Sequence, residues 1–201
     1  MKKIPSLFKR NWHRDRQAYN EITPGTEWVI TEGVATIKWD GTACMIKDGV
    51  LYKRYDRKTS RKAIKRGPPF TEKDCKTSPK GWIPCQEAPD QVSGHWPGWL
   101  VVGDGPEDKW HREVNIQGLE DRTFELLGPK VQVNPYEIFG KHMLIKHGYD
   151  VLENVPVSFN KLIKYLARID YEGIVWHHPD GRMAKAKRTD FGFEWPIKDK
   201  E

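Results

Sequence analysis

The sequence predicts an α+β fold in which most strands are antiparallel. Two Asp-Gly pairs, Asp48-Gly49 and Asp180-Gly181, lie between apolar or β-branched segments. Such pairs favour the tight turns of antiparallel hairpins because they tolerate positive φ. No regular alternation of strands and helices, which would indicate a doubly wound parallel sheet, runs along the chain. The 201 residues, 37% of them hydrophobic, can bury one sizeable core, so we expect a single domain over residues 1–201.

Charge and composition narrow the function classes. The net charge is +6, which favours a polyanionic partner such as RNA, DNA or a nucleotide. The basic N-terminus lacks the apolar stretch of a signal peptide, and no window resembles a membrane span, so we expect an intracellular protein without a membrane partner. The three cysteines include no C-x-x-C pair and the histidines lack metal-ligand spacing, so we expect free thiols and no structural zinc.

The first predicted elements surround a lysine. Residues 28–30 and 34–37 are β-branched runs, and both are predicted to be short strands. Lys38 follows where the second run ends. Asp48-Gly49 then joins residues 43–46 to residues 50–52, which predicts a hairpin directly after the Lys38 loop.

Residues 53–66 hold the densest positive charge in the chain, with one acid among them. Charge runs are usually solvated faces of a loop or helix. The alternative is a strip that follows a phosphate backbone, and we favour it because the run adjoins the Lys38 hairpin. Its cations are Lys53, Arg54, Arg57, Lys58, Arg61, Lys62, Lys65 and Arg66.

The middle of the chain, residues 73–114, is rich in Pro, Gly and Trp, which predicts turns with short strands. Its tryptophans could stack on unpaired bases, but aromatic residues among prolines more often pack an irregular segment against the core. We therefore favour core packing for these side chains. They are Trp82, Trp96, Trp99 and Trp110.

Two later segments have clear periodicity. Residues 123–127 form an apolar run that predicts a buried strand, and Glu125 interrupts it. Because an unpaired buried charge is expensive, Glu125 must reach solvent or a hydrogen-bond partner, for which a sugar hydroxyl would serve. Ser158 precedes apolar residues at three- and four-residue spacing, which predicts a capped, structural helix.

The last elements form a second predicted hairpin. A strand over residues 172–176 begins with Glu172, and Asp180-Gly181 turns the chain into residues 182–188. Alternation along this final strand places Lys185 and Lys187 on one face. Two like charges on one sheet face favour a bound anion.

Four short motifs follow one another in a recognisable order. They are Lys38-Trp39-Asp40-Gly41, Phe124-Glu125, Glu172-Gly173-Ile174-Val175 and Lys185-Ala186-Lys187. This series resembles the motifs of the covalent nucleotidyltransferase superfamily of ligases and capping enzymes. The tract from Glu125 to Asn134-Pro135, followed by His142 and His147-Gly148, is similar to the ATP-dependent RNA ligase branch that includes the vertebrate 5′-3′ RNA ligase and its bacterial and viral relatives.

The resemblance implies an adenylyltransferase core of twisted, mostly antiparallel sheets with flanking helices. It also implies an ATP-dependent RNA ligase that uses Mg²⁺ or Mn²⁺ and joins RNA 5′-phosphate and 3′-hydroxyl ends through lysine-AMP and RNA-adenylate intermediates. Only 14 residues follow Lys187, so we expect no appended oligonucleotide-binding barrel. Lys38 would attack the α-phosphate of ATP, which requires that desolvation, Lys185, Lys187 and a metal lower its pKa.

The resemblance also assigns roles to single residues. Glu125 would bind the ribose hydroxyls, Phe124 would stack near the adenine, and Arg54 would contact ribose or phosphate. The complete ATP-binding set is Lys38, Asp40, Gly41, Arg54, Phe124, Glu125, Glu172, Lys185 and Lys187.

Metal and RNA contacts are implied in the same way. Asp40 and Glu172 would hold the metal or its waters, while Lys185 and Lys187 would grip the α-phosphate. The residues implied to hold the RNA 5′-phosphate or the ATP tail are Arg57, Lys58, Arg61 and Lys62.

Two other functions fit parts of this pattern. One is a GTP-dependent RNA guanylyltransferase, and the other is a basic RNA-binding module without chemistry. Single positions also have structural explanations, because Glu172 could cap its strand, Lys185 and Lys187 could face solvent, and Phe124 could belong to the core.

Overall fold

Antiparallel strands with a few short helices make up the computed structural model, which describes residues 1–12 and 14–197. The strands are β1 (Phe8–Arg10), β2 (Ala18–Ile22), β3 (Val34–Lys38), β4 (Thr42–Lys47), β5 (Val50–Arg57), β6 (Ile83–Pro84), β7 (Trp96–Val101), β8 (Arg122–Leu127), β9 (Met143–Lys146), β10 (Gly173–His177) and β11 (Met183–Lys187). The α-helices are α1 (Val29–Glu32), α2 (Arg61–Arg66), α3 (Lys109–Arg112) and α4 (Phe159–Leu166), and the 3-10 turns are Glu72–Asp74, Pro106–Asp108 and Arg188–Phe191. This mixed architecture of antiparallel sheets and few helices agrees with the predicted α+β class.

The chain divides into two compact units by its internal contacts. Unit 1 comprises Met1–Lys3 and Gly41–Lys146, and unit 2 comprises Ile4–Asp40 and the chain from His147 onward. Each unit is described by itself below. The expectation of one domain over residues 1–201 stays a prediction.

Unit 1 contains a sheet with the strand order β6-β7-β5-β4-β8-β9. Its β4–β5 hairpin is the first predicted hairpin, and Asp48 and Gly49 adopt the expected positive φ of 52° and 71°. Strand β8 confirms the buried strand predicted over residues 123–127. The core of this unit is formed by Cys44, Ile46, Leu51, Phe124, Leu126 and Val131.

The basic run of residues 53–66 divides between two elements of unit 1. Its first part belongs to β5, which ends at Arg57. Its second part forms α2, where the Ser60 side chain accepts a hydrogen bond from the Ala63 N–H at 3.3 Å, and Gly67 ends the helix with a φ of 82°. The run is therefore a strand followed by a capped helix.

The Trp-rich segment is turn-dominated with short strands, as predicted. Strand β7 carries Trp96 and Trp99, which are 7% and 3% exposed, so core packing is confirmed for both side chains. Trp82 packs edge-on against Trp96, with ring centroids 5.3 Å apart. Trp110 is half-buried and stacks on His142 at 5.0 Å.

Unit 2 contains a sheet with the order β11-β10-β3, and β10 lies in the middle. The β10–β11 hairpin confirms the second predicted hairpin, and Gly181 has a φ of 88°. Helix α4 confirms the predicted amphipathic helix by burying Leu162 and Leu166 completely. Ser158 occupies the N-cap position of α4, although its side chain makes no capping hydrogen bond.

One predicted element is wrong. Residues 28–30 were expected to form a strand, but Trp28 has αR backbone angles and α1 begins at Val29. The Trp28 indole donates to the Gly25 carbonyl at 3.1 Å, and Trp28 and Val29 are buried while Ile30 is 52% exposed. Burial of adjacent residues on one helical turn outweighs the β-propensity of a short β-branched run, since that propensity is small.

Candidate active site

Lys38 is the last residue of β3, and strand register brings two further motifs beside it in unit 2. Gly173, the first residue of β10, pairs with Lys38 of β3 on one side and with Lys187 of β11 on the other. Glu172 directly precedes Gly173. A Cβ at Gly173 would lie 2.1 Å from the Ala186 carbonyl oxygen, so only glycine allows the strands to approach this closely.

These residues form an ion cluster around the Glu172 carboxylate. Lys38 Nζ donates to Glu172 Oε2 in an ion pair, and Lys187 Nζ lies 3.5 Å from Oε1. Glu172 is 7% exposed, whereas the side chains of Lys38 and Lys187 are 21% and 26% exposed. Two ammonium groups around one carboxylate leave a positive charge in a partly desolvated place, where it attracts an anion more strongly than in bulk water.

Lys185 lies on the same face of β11 as Lys187, as the alternation predicted. Both lysines are half-buried, while Ala184 and Ala186 on the opposite face are buried in the core. The backbone of Lys185 is fixed by the N-terminal segment: its N–H donates to the Pro5 carbonyl at 2.9 Å and its carbonyl accepts from the Leu7 N–H at 2.8 Å. Strand β11 therefore presents its lysines from a supported backbone.

Hydrogen bonds from two tryptophan side chains hold the loop after Lys38 in place. Trp39 Nε1 donates to Asp150 Oδ2 at 2.8 Å, and the Asp150 carbonyl accepts from the Ile37 N–H at 3.0 Å. Trp195 Nε1 donates to Asp40 Oδ2 at 2.8 Å. Neither Asp150 nor Trp195 was among the residues predicted to serve this site. No local sequence signal identifies them, because both contacts bridge more than 100 residues of sequence.

Gly41 is the first residue of the longer segment of unit 1, and it contacts Glu125 there. The Gly41 N–H donates to Glu125 Oε1 at 3.1 Å, which gives this carboxylate the hydrogen-bond partner that its position requires. A Cβ at Gly41 would lie 2.3 Å from the Leu126 carbonyl oxygen and 2.6 Å from Leu127 Cδ2. Glycine is therefore required in the Lys38 motif by close backbone approach to β8.

In unit 1, the side chains of Phe124 and Arg54 both contact other residues of the protein. Phe124 is fully buried in the core, which agrees with its structural explanation, and an adenine-stacking role stays a prediction. Arg54 donates from Nε to Asp56 Oδ1 at 2.5 Å and from Nη1 to the Met1 carbonyl at 2.6 Å. Its guanidinium also lies 5.5 Å from the Trp99 ring centroid.

Arg57 differs from the other predicted RNA-binding residues. It is 4% exposed, and its guanidinium lies 4.9 Å from the Trp82 ring centroid and 4.8 Å from that of Trp96. It also donates to the Lys76 carbonyl at 2.8 Å and to Glu72 at 3.2 Å. Its contacts stabilise the Trp-rich segment, and its RNA role stays a prediction. The remaining predicted residues, Lys58, Arg61 and Lys62, are exposed.

A metal that arrives with a nucleotide needs few ligands from the protein. Within residues 1–12 and 14–197, no group of three or more His, Cys, Asp or Glu side chains is arranged to hold a metal ion. Mg²⁺ in phosphoryl-transfer sites is usually held by one or two carboxylates together with substrate phosphates and water. Asp40 and Glu172 supply carboxylate oxygens of that kind.

Among the described helices, none is long and apolar enough to cross a membrane.

Comparisons with known proteins agree with the motif series. A family model described as RNA ligase 1 matches residues 104–201. RNA ligase 1 of Pongo abelii is 31% identical over 85% of this chain and 70% of the relative, and that of Mus musculus is 30% identical over the same shares. RNA ligase 1 of Danio rerio is 28% identical over 82% of this chain and 69% of the relative. The resemblance to RNA ligases is thereby confirmed, and the chain belongs to the RNA ligase 1 family.

Proposed function

We propose that this protein is an ATP-dependent RNA ligase that joins RNA 5′-phosphate and 3′-hydroxyl ends, with Lys38 as its nucleophile. The observation that carries the proposal is the cluster in which Lys38 and Lys187 share the Glu172 carboxylate at the aligned ends of β3, β10 and β11. Membership in a family of proteins named RNA ligases supports RNA as the substrate.

The first step is transfer of AMP from ATP to Lys38. Attack requires a neutral amine, so a proton must leave Lys38 Nζ, and Glu172 Oε2 already accepts a hydrogen bond from it. A bond forms between Nζ and the α-phosphorus, and the bond from that phosphorus to the bridging oxygen of pyrophosphate breaks. Lys187 and Lys185 stabilise the charge that develops on the α-phosphoryl oxygens.

The following steps move AMP to RNA and seal the strand. An oxygen of the RNA 5′-phosphate attacks the AMP phosphorus, the P–N bond breaks, and Lys38 recovers its proton. The 3′-hydroxyl oxygen of the other end then loses its proton to solvent and attacks the RNA 5′-phosphorus. The phosphodiester bond forms as the phosphoanhydride bond to AMP breaks, and AMP leaves. One lysine thus divides a difficult condensation into easier displacements.

Residues of unit 1 bind substrate parts that do not react. Glu125, held by the Gly41 N–H, accepts hydrogen bonds from the ribose hydroxyls, and Arg54 contacts ribose or phosphate. The exposed cations Lys58, Arg61 and Lys62 bind RNA phosphate. Because these side chains are exposed, they are better placed than the buried Arg57 to contact RNA.

Asp40 and Glu172 are the residues that would hold Mg²⁺ or Mn²⁺. A divalent ion bound there supplies neutralisation of phosphate charge. The Trp195 indole orients one Asp40 oxygen by a 2.8 Å hydrogen bond, and this second contact fixes the carboxylate in the manner common among metal ligands.

Covalent labelling tests the proposal. The protein is incubated with Mg²⁺ and either labelled ATP or labelled GTP, then denatured, and the retained label and intact mass are measured. We expect an AMP adduct that Lys38→Ala abolishes and that Lys47→Ala, at the exposed end of β4, retains. An adduct with GTP alone would indicate a guanylyltransferase, and no adduct with either nucleotide would favour a non-catalytic RNA-binding module.

A further inference from the structure

The loop between β8 and β9, residues 128–142, contains a run of left-handed backbone. Gln132, Val133 and Asn134 have consecutive φ values of 46°, 55° and 54°, and Glu137 has a φ of 52°. Residues with a Cβ avoid this region, β-branched valine most of all, and those that enter it usually do so singly. Such conformations persist only where the surroundings hold them, and they concentrate at sites that contact ligands.

Hydrogen bonds and burial hold the β8–β9 loop in this conformation. Val131 is 7% exposed and packs in the unit 1 core, and its carbonyl accepts from the Asn134 N–H at 2.8 Å. The Asn134 side chain donates to the Ile138 carbonyl at 3.0 Å and accepts from the Ile138 N–H at 2.9 Å. One asparagine therefore closes the tip of the loop on itself.

The residues just outside this closure expose apolar side chains to water. Val133 is 85% exposed and Phe139 is 88% exposed, and Phe139 is the most exposed large apolar side chain in the described part of the chain. Lys130 and Lys141 are exposed on the two arms of the same loop. The loop carries these two cations and one exposed acid, Glu137. An exposed aromatic ring in such a loop is unfavourable in water and becomes favourable when an anionic, stackable ligand covers the ring.

The same loop contacts Gly41 within unit 1. Gln132 Nε2 donates to the Gly41 carbonyl at 3.2 Å, and the Gly41 N–H donates to Glu125 Oε1 at 3.1 Å. Gly41 is the last residue of the Lys38-Trp39-Asp40-Gly41 motif. One hydrogen bond from a strained residue of the loop thereby reaches the carbonyl of Gly41, the residue that directly precedes β4.

We propose that the β8–β9 loop binds an unpaired nucleotide of the RNA substrate, with Phe139 stacking on its base and Lys130 and Lys141 contacting its phosphates. The inference rests on the proposed RNA ligase function and adds an RNA contact outside the basic run of residues 53–66. Aromatic faces stack on every base, and lysines attract the backbone without reading sequence. The net charge of +6 favours this polyanionic ligand over a protein partner.

Binding of a 5′-phosphorylated single-stranded oligoadenylate to the full chain tests the proposal. Fluorescence anisotropy at fixed salt gives the Kd for the unsubstituted protein, Phe139→Ala and Phe139→Trp. We expect Phe139→Ala to weaken binding about 10-fold, the size of one base–aromatic stack, and Phe139→Trp to bind as tightly as the unsubstituted protein. Tyr19→Ala, which removes another exposed aromatic ring, 42% exposed, should leave the Kd unchanged.

The outcomes separate this inference from the proposed function. An unchanged Kd for Phe139→Ala, or an equal loss for Tyr19→Ala, would overturn the role of the loop. Formation of the lysine-AMP adduct from ATP needs no RNA and is measured in the unsubstituted protein. Absence of that adduct would overturn the proposed ligase, whereas its presence together with unchanged Phe139→Ala binding would overturn the loop assignment alone.

Discussion

The Glu172 side chain joins two lysines of the candidate site. Its two oxygens face Lys38 and Lys187, and Gly173 beside it allows the three strands to converge. An acid before an apolar strand can be found in the sequence. Its partners could not be derived from sequence spacing alone, because they depend on the register of β3 and β11 against β10.

Glu172→Gln tests the chemical role of this carboxylate. Glutamine keeps the shape but removes the negative charge, so Lys38 loses its proton acceptor. We expect the rate of lysine-AMP formation to fall about 100-fold, the lower range for a general base, when single-turnover labelling is followed over time. Glu153→Gln, at an exposed position, serves as the control and should label at the unsubstituted rate. Equal rates for both variants would remove Glu172 from the reaction.

At the scale of elements, local turn chemistry accounts for the two hairpins that were predicted correctly. The hairpins β4–β5 and β10–β11 follow from Asp-Gly pairs, whose backbone preference acts within four residues. The short segment at residues 28–30 has no such turn signal, and tertiary burial turned it into α1. The basic run of residues 53–66 resolves into β5, which pairs with β4 and β7, and α2, which Ser60 caps.

Strand β5 is tied to the 3-10 turn at Pro106–Asp108 by an ion pair whose strength depends on pH. Asp108 is 1% exposed; it pairs with Lys53, accepts from the Gly103 N–H at 2.7 Å, and has His111 at 3.9 Å. Burial alone would raise the pKa of Asp108, but the bonds from Lys53 and Gly103 outweigh it and lower the pKa. Because the folded pKa lies below the unfolded one, the pair's contribution is complete above the unfolded value and is lost as pH falls through the folded value.

Asp108→Asn removes this pH-dependent contribution. We expect the free energy of unfolding in urea at pH 7 to fall by about 3 kcal/mol, since a buried Lys53 charge loses its partner. The difference from the unsubstituted protein should shrink below about pH 4, the ordinary aspartate range. The matched control is Asp104→Asn at an exposed neighbouring position. A difference that stays constant between pH 7 and pH 3 would contradict the assignment.

At the scale of the whole molecule, the order of motifs along the sequence carried more information than any single motif. The ordered series identified the RNA ligase resemblance, which the relatives confirm. Long-range contacts such as Trp39 to Asp150 and Trp195 to Asp40 could not be predicted, because tryptophan indoles donate to any accessible carboxylate. The exposure of Phe139 could not be predicted either, because the hydrophobicity of a phenylalanine predicts burial.

The identity of the nucleophile is the central claim, and peptide mapping of the adduct tests it most directly. The unsubstituted protein is incubated with ATP and Mg²⁺, digested, and the AMP-bearing peptide is sequenced by tandem mass spectrometry under conditions that preserve the phosphoramidate bond. We predict that AMP is attached to Nζ of Lys38, with Lys185 and Lys187 unmodified. Recovery of AMP on either of those lysines instead, or of an unmodified Lys38 peptide in fully labelled protein, would contradict the account.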